Sequence, residues 1–173
     1  MAVLKLNYTR AGGAAKANVR YIESRPGKDK AKTMRTLWNS DGKVTREEAY
    51  QMIDTAEKGS IFFRIKICPD AKTEDTKRDI SLQKVTEETM AALQDHIQKP
   101  IQYVAVMHDD HTPLRHVHVL AIVKGGIYNK EREAMHQAAT REALYQRKQR
   151  DLMQEQRPEQ ERKGEQWQRE QSR

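Results

Sequence analysis

Short runs of apolar residues, alternating with polar ones or continuous, predict where strands lie in this chain. Four segments have this pattern: Val3–Thr9, Ser60–Cys68, Ile101–Met107 and His116–Lys124. Pro69 directly follows the second segment and Gly125 the fourth, and both residue types commonly end a strand. The two longest segments, SIFFRIKIC and HVHVLAIVK, are rich in branched apolar residues, which indicates strands that are buried on at least one face.

Helical spacing and capping signals predict helices between these strands. Ala14–Glu23 has helical composition, follows a Gly12-Gly13 break, and stops before Pro26. The run Thr45-Arg46-Glu47-Glu48 is a capping box that opens a second helix, which Gly59 ends. Thr86 is predicted to cap a third helix, which ends before Pro100.

The order of these elements predicts an α+β domain over residues 1–130. Its centre is expected to be an antiparallel sheet with helices on one face, which leaves the other face free for a histidine-lined site. From Glu131 the sequence becomes dense in Gln, Glu, Arg and Lys. Residues 131–173 are therefore predicted to form a charged helical extension that is partly disordered beyond Arg157.

Composition narrows the class of protein. The chain has 173 residues, of which 36% are hydrophobic and 33% charged, and its single cysteine, Cys68, rules out an internal disulfide. No apolar run approaches the roughly 20 residues of a membrane span. The N-terminal residues also lack the apolar stretch of a signal peptide, so we expect a cytoplasmic protein.

The positive charge is concentrated at one end of the chain. The net charge is +7, and residues 1–36 carry nine Lys or Arg against two acidic residues, whereas the remainder is balanced. Such clustering favours a polyanion partner over a merely solvated basic surface. The candidate DNA-binding residues are Arg20, Arg25, Lys28, Lys30, Lys32 and Arg35. Trp38 could stack on a base or anchor the core.

Histidines supply the clearest chemical signal. Residues 107–124 hold four of the six histidines, and His116 and His118 are two apart on a predicted strand. Their side chains would share a face with Cα atoms about 6.6 Å apart, which suits ligands of one metal ion. If His108 lies on an antiparallel neighbour, it completes a three-imidazole site, with Asp110 as a carboxylate partner for one ring. The alternative is a strand that shows histidines to solvent.

Two separated motifs resemble those of the HUH endonucleases, and in particular the mobilisation relaxases. His108-Asp109-Asp110 followed by His116-Val117-His118 is similar to their metal motif. The run LKLNYTRAGGAAKANVRYIESRPG is similar to their N-terminal strand, glycine turn and tyrosine-bearing helix. The resemblance covers about residues 3–128, with the tyrosine before the histidines as in relaxases. Leu114-Arg115 and Cys68-Pro69 depart from the usual pattern.

The resemblance implies a metal-dependent enzyme that nicks single-stranded DNA at an origin of transfer. Tyr21 would be the nucleophile that forms a 5′-phosphotyrosyl intermediate, the three histidines would hold the metal, and Asp110 would orient a ligand. Mg²⁺ or Mn²⁺ would be the ion in use, although imidazoles prefer Zn²⁺ or Ni²⁺ on affinity. Single-stranded DNA is the expected partner in plasmid mobilisation and conjugation, and accessory relaxosome proteins are compatible with this function.

Other interpretations stay open from the sequence. Tyr8 is a second candidate nucleophile. Tyr145 would instead suit a tyrosine transposase or a rolling-circle replication initiator, in which the tyrosine follows the histidines. A third interpretation is a non-catalytic, basic DNA-binding module whose histidines are structural.

Overall fold

The computed structural model describes residues 1–26, 34–109 and 114–171, with side chains described as far as Glu155. The strands are β1 (Val3–Thr9), β2 (Leu37–Asn39), β3 (Gly42–Val44), β4 (Ser60–Cys68), β5 (Gln102–His108) and β6 (His116–Lys124). The helices are α1 (Gly12–Ser24), α2 (Arg46–Asp54), α3 (Leu82–Ile97) and α4 (Asn129–Gln171). The predicted α+β class is confirmed.

The six strands form one antiparallel sheet in the order β1-β4-β6-β5-β2-β3. The long strands β4 and β6 are interior strands of this sheet, and helices cover β6 from both sides. This explains the nearly continuous apolar run in β6, because Val119 and Leu120 point to opposite faces and are both buried.

Helices α3 and α4 pack on one face of the sheet, here called the helical face. Leu93 of α3 and Met135 of α4 are fully buried there with Ile65 and Val119 of the central strands. Ser81, not Thr86, caps α3: its side chain accepts a hydrogen bond from the backbone N–H of Lys84. The Thr86 hydroxyl instead donates to the carbonyl of the residue four positions earlier in the buried helix.

Helices α1 and α2 pack on the opposite face, here called the histidine face because His108, His116 and His118 project from it. Val19 of α1 and Ile53 of α2 are buried against Phe62, Val106 and Leu120 of the sheet. The prediction of helices on one face only is therefore wrong. Each pair of helices carries its own apolar stripe, and a sheet with apolar residues on both faces can bury both stripes.

Two further features were not predicted. A short hairpin, β2 with β3, extends the sheet beside β5. Met135, Ala139 and Ala143 of α4 belong to the core of the helical face, so the first turns of the predicted extension pack within the domain. The division of the chain at residues 130 and 131 stays a prediction, and the predicted disorder beyond Arg157 lies outside the described side chains. Within the described residues no helix has the length and apolarity to cross a membrane.

Candidate metal centre and tyrosine

Antiparallel pairing of β5 with β6 brings three histidines together. His108 is opposite His116 in the register, and Val106 is opposite His118. The ring centroids of His118 lie 4.7 Å from those of His108 and 5.0 Å from those of His116, and the candidate ligand atoms of all three rings lie within 4.8 Å of one another. The predicted convergence of three imidazoles on one face is confirmed.

Backbone carbonyls orient two of the three rings. His108 donates from Nε2 to the carbonyl of Ile22 at 2.7 Å, and His116 donates from Nδ1 to the carbonyl of Leu114 at 3.0 Å. In a neutral imidazole that donates from one nitrogen, the other nitrogen carries the lone pair. His108 would therefore bind a metal through Nδ1 and His116 through Nε2. Asp110, which we predicted as the orienting carboxylate, lies outside the described residues.

The third histidine is held in its neutral form. Burial, the two neighbouring imidazoles, and then Lys66 and Arg25 lower the pKa of His118 from 6.5 to about 3. Its Nε2 is buried and has no hydrogen-bond partner among the described residues. Three imidazole nitrogens converging in this way fit a divalent ion, and the donor type favours Zn²⁺ or Ni²⁺ on affinity over Mg²⁺ or Mn²⁺.

The carbonyl that accepts the hydrogen bond from His108 belongs to Ile22, in the last turn of α1. The final carbonyls of a helix lack intrahelical partners, and the residue four after Ile22 is Pro26, which has no N–H to donate. The His108 ring supplies that missing donor. The end of α1 is thereby attached to one of the three candidate ligands.

Tyr21, the predicted nucleophile, directly precedes Ile22 in this last turn. Consecutive Cα atoms are about 3.8 Å apart, so its backbone lies beside the histidine cluster. Its side chain is 50% exposed, and the Arg25 guanidinium lies 5.6 Å from the centre of its ring. The Arg25 guanidinium also makes a small contribution to the lowered pKa of His118, so the charge at the end of α1 acts on this histidine.

The two other tyrosines considered as nucleophiles lie elsewhere. Tyr8 is opposite Phe63 in the β1–β4 register, with ring centroids 5.8 Å apart, and Phe63 belongs to the core of the helical face. Tyr145 is an exposed residue of α4, which packs with α3 on that same face. Of these three tyrosines, only Tyr21 lies on a helix that packs on the histidine face.

The predicted DNA-binding residues have different surroundings. Arg20 is exposed on α1. Arg35 donates from Nη1 to the carbonyl of Arg25 at 2.8 Å, and its backbone N–H donates to the carbonyl of Glu23 at 3.0 Å, so it fixes the chain to the end of α1. Lys28, Lys30 and Lys32 lie outside the described residues. Trp38 is only 8% exposed and packs edge-on against Tyr103, which supports the core-anchor interpretation.

A loop between β4 and α3 binds the strand ends that carry the histidines through an ion pair and a hydrogen bond. Arg115, which precedes His116, makes two 3.1 Å contacts from Nη1 to the Asp75 carboxylate, and both side chains are nearly buried. Arg78 donates to the carbonyl of Asp109, the residue after His108, at 2.9 Å. The loop therefore holds both strand ends, and Arg115, which departs from the usual relaxase pattern, has a structural partner of its own.

Strands β1 and β4 present three cations on the histidine face that were not among the predicted site residues: Lys5, Arg64 and Lys66. Lys66 is directly opposite His118 in the β4–β6 register, and Lys5 is opposite Lys66 in the β1–β4 register. A signal was present in the sequence, because Arg64 and Lys66 interrupt an apolar strand two positions apart and must share a face.

In comparisons with known proteins, no family model, no curated protein and no solved structure matches this chain.

Proposed function

We propose that this protein is a metal-dependent strand transferase of the relaxase type that acts on single-stranded DNA in the cytoplasm. The observation that carries the proposal is the hydrogen bond from His108 to the Ile22 carbonyl, which fixes the turn bearing Tyr21 to a candidate metal ligand. A tyrosine and a three-imidazole centre held together in this way suit nucleophilic attack on a phosphate.

His108, His116 and His118 would hold the metal. Imidazole ligands carry no charge when they bind a metal, so a divalent ion held by these three residues would keep its full positive charge. It would supply Lewis-acid polarisation of a phosphate and stabilise the charge that develops during the reaction. The end of α1 adds the guanidinium of Arg25, which lies beside the Tyr21 ring and contributes to the lowered pKa of His118. An incoming phosphate at the end of α1 would thus meet positive charge from Arg25 as well as from the ion.

Tyr21 would carry the covalent step. Its phenolic oxygen forms a bond to phosphorus as the bond between phosphorus and the 3′ oxygen of the preceding nucleotide breaks. The phenolic proton is lost, and the departing oxygen gains one to become a 3′-hydroxyl. The phosphodiester is replaced by a phosphotyrosyl ester, so the reverse reaction can rejoin a strand at an origin of transfer.

The test is capture of the covalent intermediate from a single-stranded DNA library of random sequence with Mn²⁺ present. If Tyr21 attacks as proposed, the protein retains the fragment with the original 3′ end. A 3′-end label should then stay with the denatured protein, whereas a 5′-end label should be released. Tyr21→Phe removes only the hydroxyl and should abolish the adduct while leaving DNA affinity nearly unchanged.

Matched controls are Tyr8→Phe and Tyr145→Phe, which should both retain the adduct. Loss of the adduct in Tyr145→Phe alone would favour the transposase or replication-initiator interpretation. DNA binding by the wild type without any adduct, across Mn²⁺, Mg²⁺, Zn²⁺ and Ni²⁺, would instead favour a non-catalytic DNA-binding module.

A further inference from the structure

A row of positive charge leads away from the histidines across the sheet. Residues directly opposite each other on paired strands project to the same face, so Lys5, Lys66 and His118 form one row over β1, β4 and β6. Adjacent strands are about 4.8 Å apart, which places the Cα of Lys5 about 10 Å from that of His118. Arg64, two residues before Lys66, lies on the same face opposite Asn7.

This arrangement is unfavourable for folding alone. Like charges directly opposite on paired strands destabilise a sheet, and Lys5 faces Lys66 in this way. Neither lysine nor Arg64 forms a salt bridge with any described residue, whereas several other described cations do, such as Lys16 with Asp54 and Lys124 with Glu57.

Protection of a sheet edge explains only part of the row. A lysine on an edge strand discourages pairing with another chain, and Lys5 lies on the edge strand β1. Arg64 and Lys66 lie on β4, which is paired on both sides, so edge protection does not account for them. Lys5 and Arg64 are exposed and Lys66 is half-buried, which leaves all three accessible to a ligand.

We propose that Lys5, Arg64 and Lys66 form a track for the backbone phosphates of single-stranded DNA, running from the histidines to the β1 edge. The proposal rests on the proposed function only for the nature of the polyanion. Lysine binds phosphate as a point charge and arginine can bind it through two hydrogen bonds. Tyr8 of β1 and Phe63 of β4 project to the opposite face, so the track should bind without regard to base identity.

The test is the salt dependence of binding to a fluorescein-labelled oligothymidylate, measured by anisotropy in the presence of EDTA. Each lost phosphate contact should flatten the plot of log K against log salt by about 0.7, so the triple variant Lys5→Gln, Arg64→Gln, Lys66→Gln should lose about 2 from the slope. An oligonucleotide of mixed sequence should show the same loss.

The matched control is Lys84→Gln, Arg141→Gln, Lys148→Gln, which removes the same charge from exposed positions of α3 and α4 on the helical face. Its slope should equal that of the wild type. An unchanged slope in the track variant, or equal losses in both variants, would overturn the proposal. Urea unfolding of each variant checks that the fold is retained. The single variant Lys66→Gln should reduce the slope of log K against log salt by about 0.7.

Because EDTA removes metal, this experiment is independent of covalent chemistry. If the slope falls in the track variant but the wild type never forms an adduct, the phosphate track is supported and the strand-transfer proposal is contradicted. If the wild type forms an adduct but the slope does not change in the track variant, strand transfer is supported and the phosphate track is contradicted.

Discussion

The two faces of the sheet are built from the same strands but differ in how completely helices cover them. On the helical face, α3 and α4 bury apolar residues from strands across the sheet, including Ile65, Val119 and Tyr103. On the histidine face, α1 and α2 cover Phe62, Val106 and Leu120, while the row from His118 to Lys5 carries polar and charged side chains. Apolar burial holds the domain together on both faces, and the polar remainder of the histidine face carries the candidate metal site.

The difference lies at particular positions of the same strand. In β6, Leu120 and His118 point to the histidine face two residues apart, yet Leu120 is fully buried under α1 and His118 is only partly buried. The apolar contact places α1 so that its final turn reaches His108. Packing on one part of the face thus positions the candidate site on the other.

Truncating the helical face should give the largest change in stability. Leu93 is 0% exposed in α3, and Leu93→Ala is expected to lower the free energy of unfolding by about 3 kcal/mol, since it removes buried methyl groups and leaves a cavity. The metal affinity of the folded protein should not change. Urea unfolding and calorimetric metal titration measure the two effects, and a weakened metal affinity would show that the two faces are coupled.

His116→Ala is the reciprocal variant on the histidine face. Loss of one of three imidazole ligands should remove most of the metal affinity in the same titration. Equal stoichiometry and affinity in the wild type and His116→Ala would mean that the cluster does not bind the ion.

Breaking the ion pair between Arg115 and Asp75 should have an intermediate effect on both stability and metal affinity. Asp75→Asn leaves the nearly buried Arg115 without a countercharge, which we expect to cost about 2 kcal/mol. Since Arg115 precedes His116, metal affinity should also fall by about tenfold, as for groups that orient metal ligands. The control Asp54→Asn removes an exposed partner of Lys16 and should change stability by less than about 0.5 kcal/mol. Unchanged metal affinity in Asp75→Asn would mean that this ion pair stabilises the fold but does not help to orient His116.

The smallest expected effect is an increase in stability, whereas the preceding core and ion-pair variants should lower it. Lys5→Gln relieves the repulsion between facing lysines and should raise the free energy of unfolding by about 0.3 kcal/mol. The gain should shrink at high salt, which screens exposed charges. Lys124→Gln, which breaks an exposed pair with Glu57, should show no gain. Destabilisation by Lys5→Gln would instead indicate that the lysine stem packs on the sheet.

Local patterns predicted much of this molecule. The bounds of β1, β4 and β6 are confirmed because alternation and turn residues are properties of neighbouring positions. The capping box at Thr45 is confirmed for the same reason. Local signals were insufficient where several competed: both Ser81 and Thr86 can cap a helix, and the short hairpin of β2 and β3 has too few residues for a clear period.

The amino-acid sequence by itself determined the α+β class, the longest strands, and the meeting of His108, His116 and His118, since two of these histidines are neighbours on one strand and the third follows from pairing of consecutive strands. Only the tertiary structure decided that helices cover both faces, that the Ile22 carbonyl accepts a hydrogen bond from His108, and that Lys5 faces Lys66. These last contacts join residues roughly 60 to 90 positions apart along the chain, and such partners depend on the order and register of strands, which periodicity along the chain does not encode.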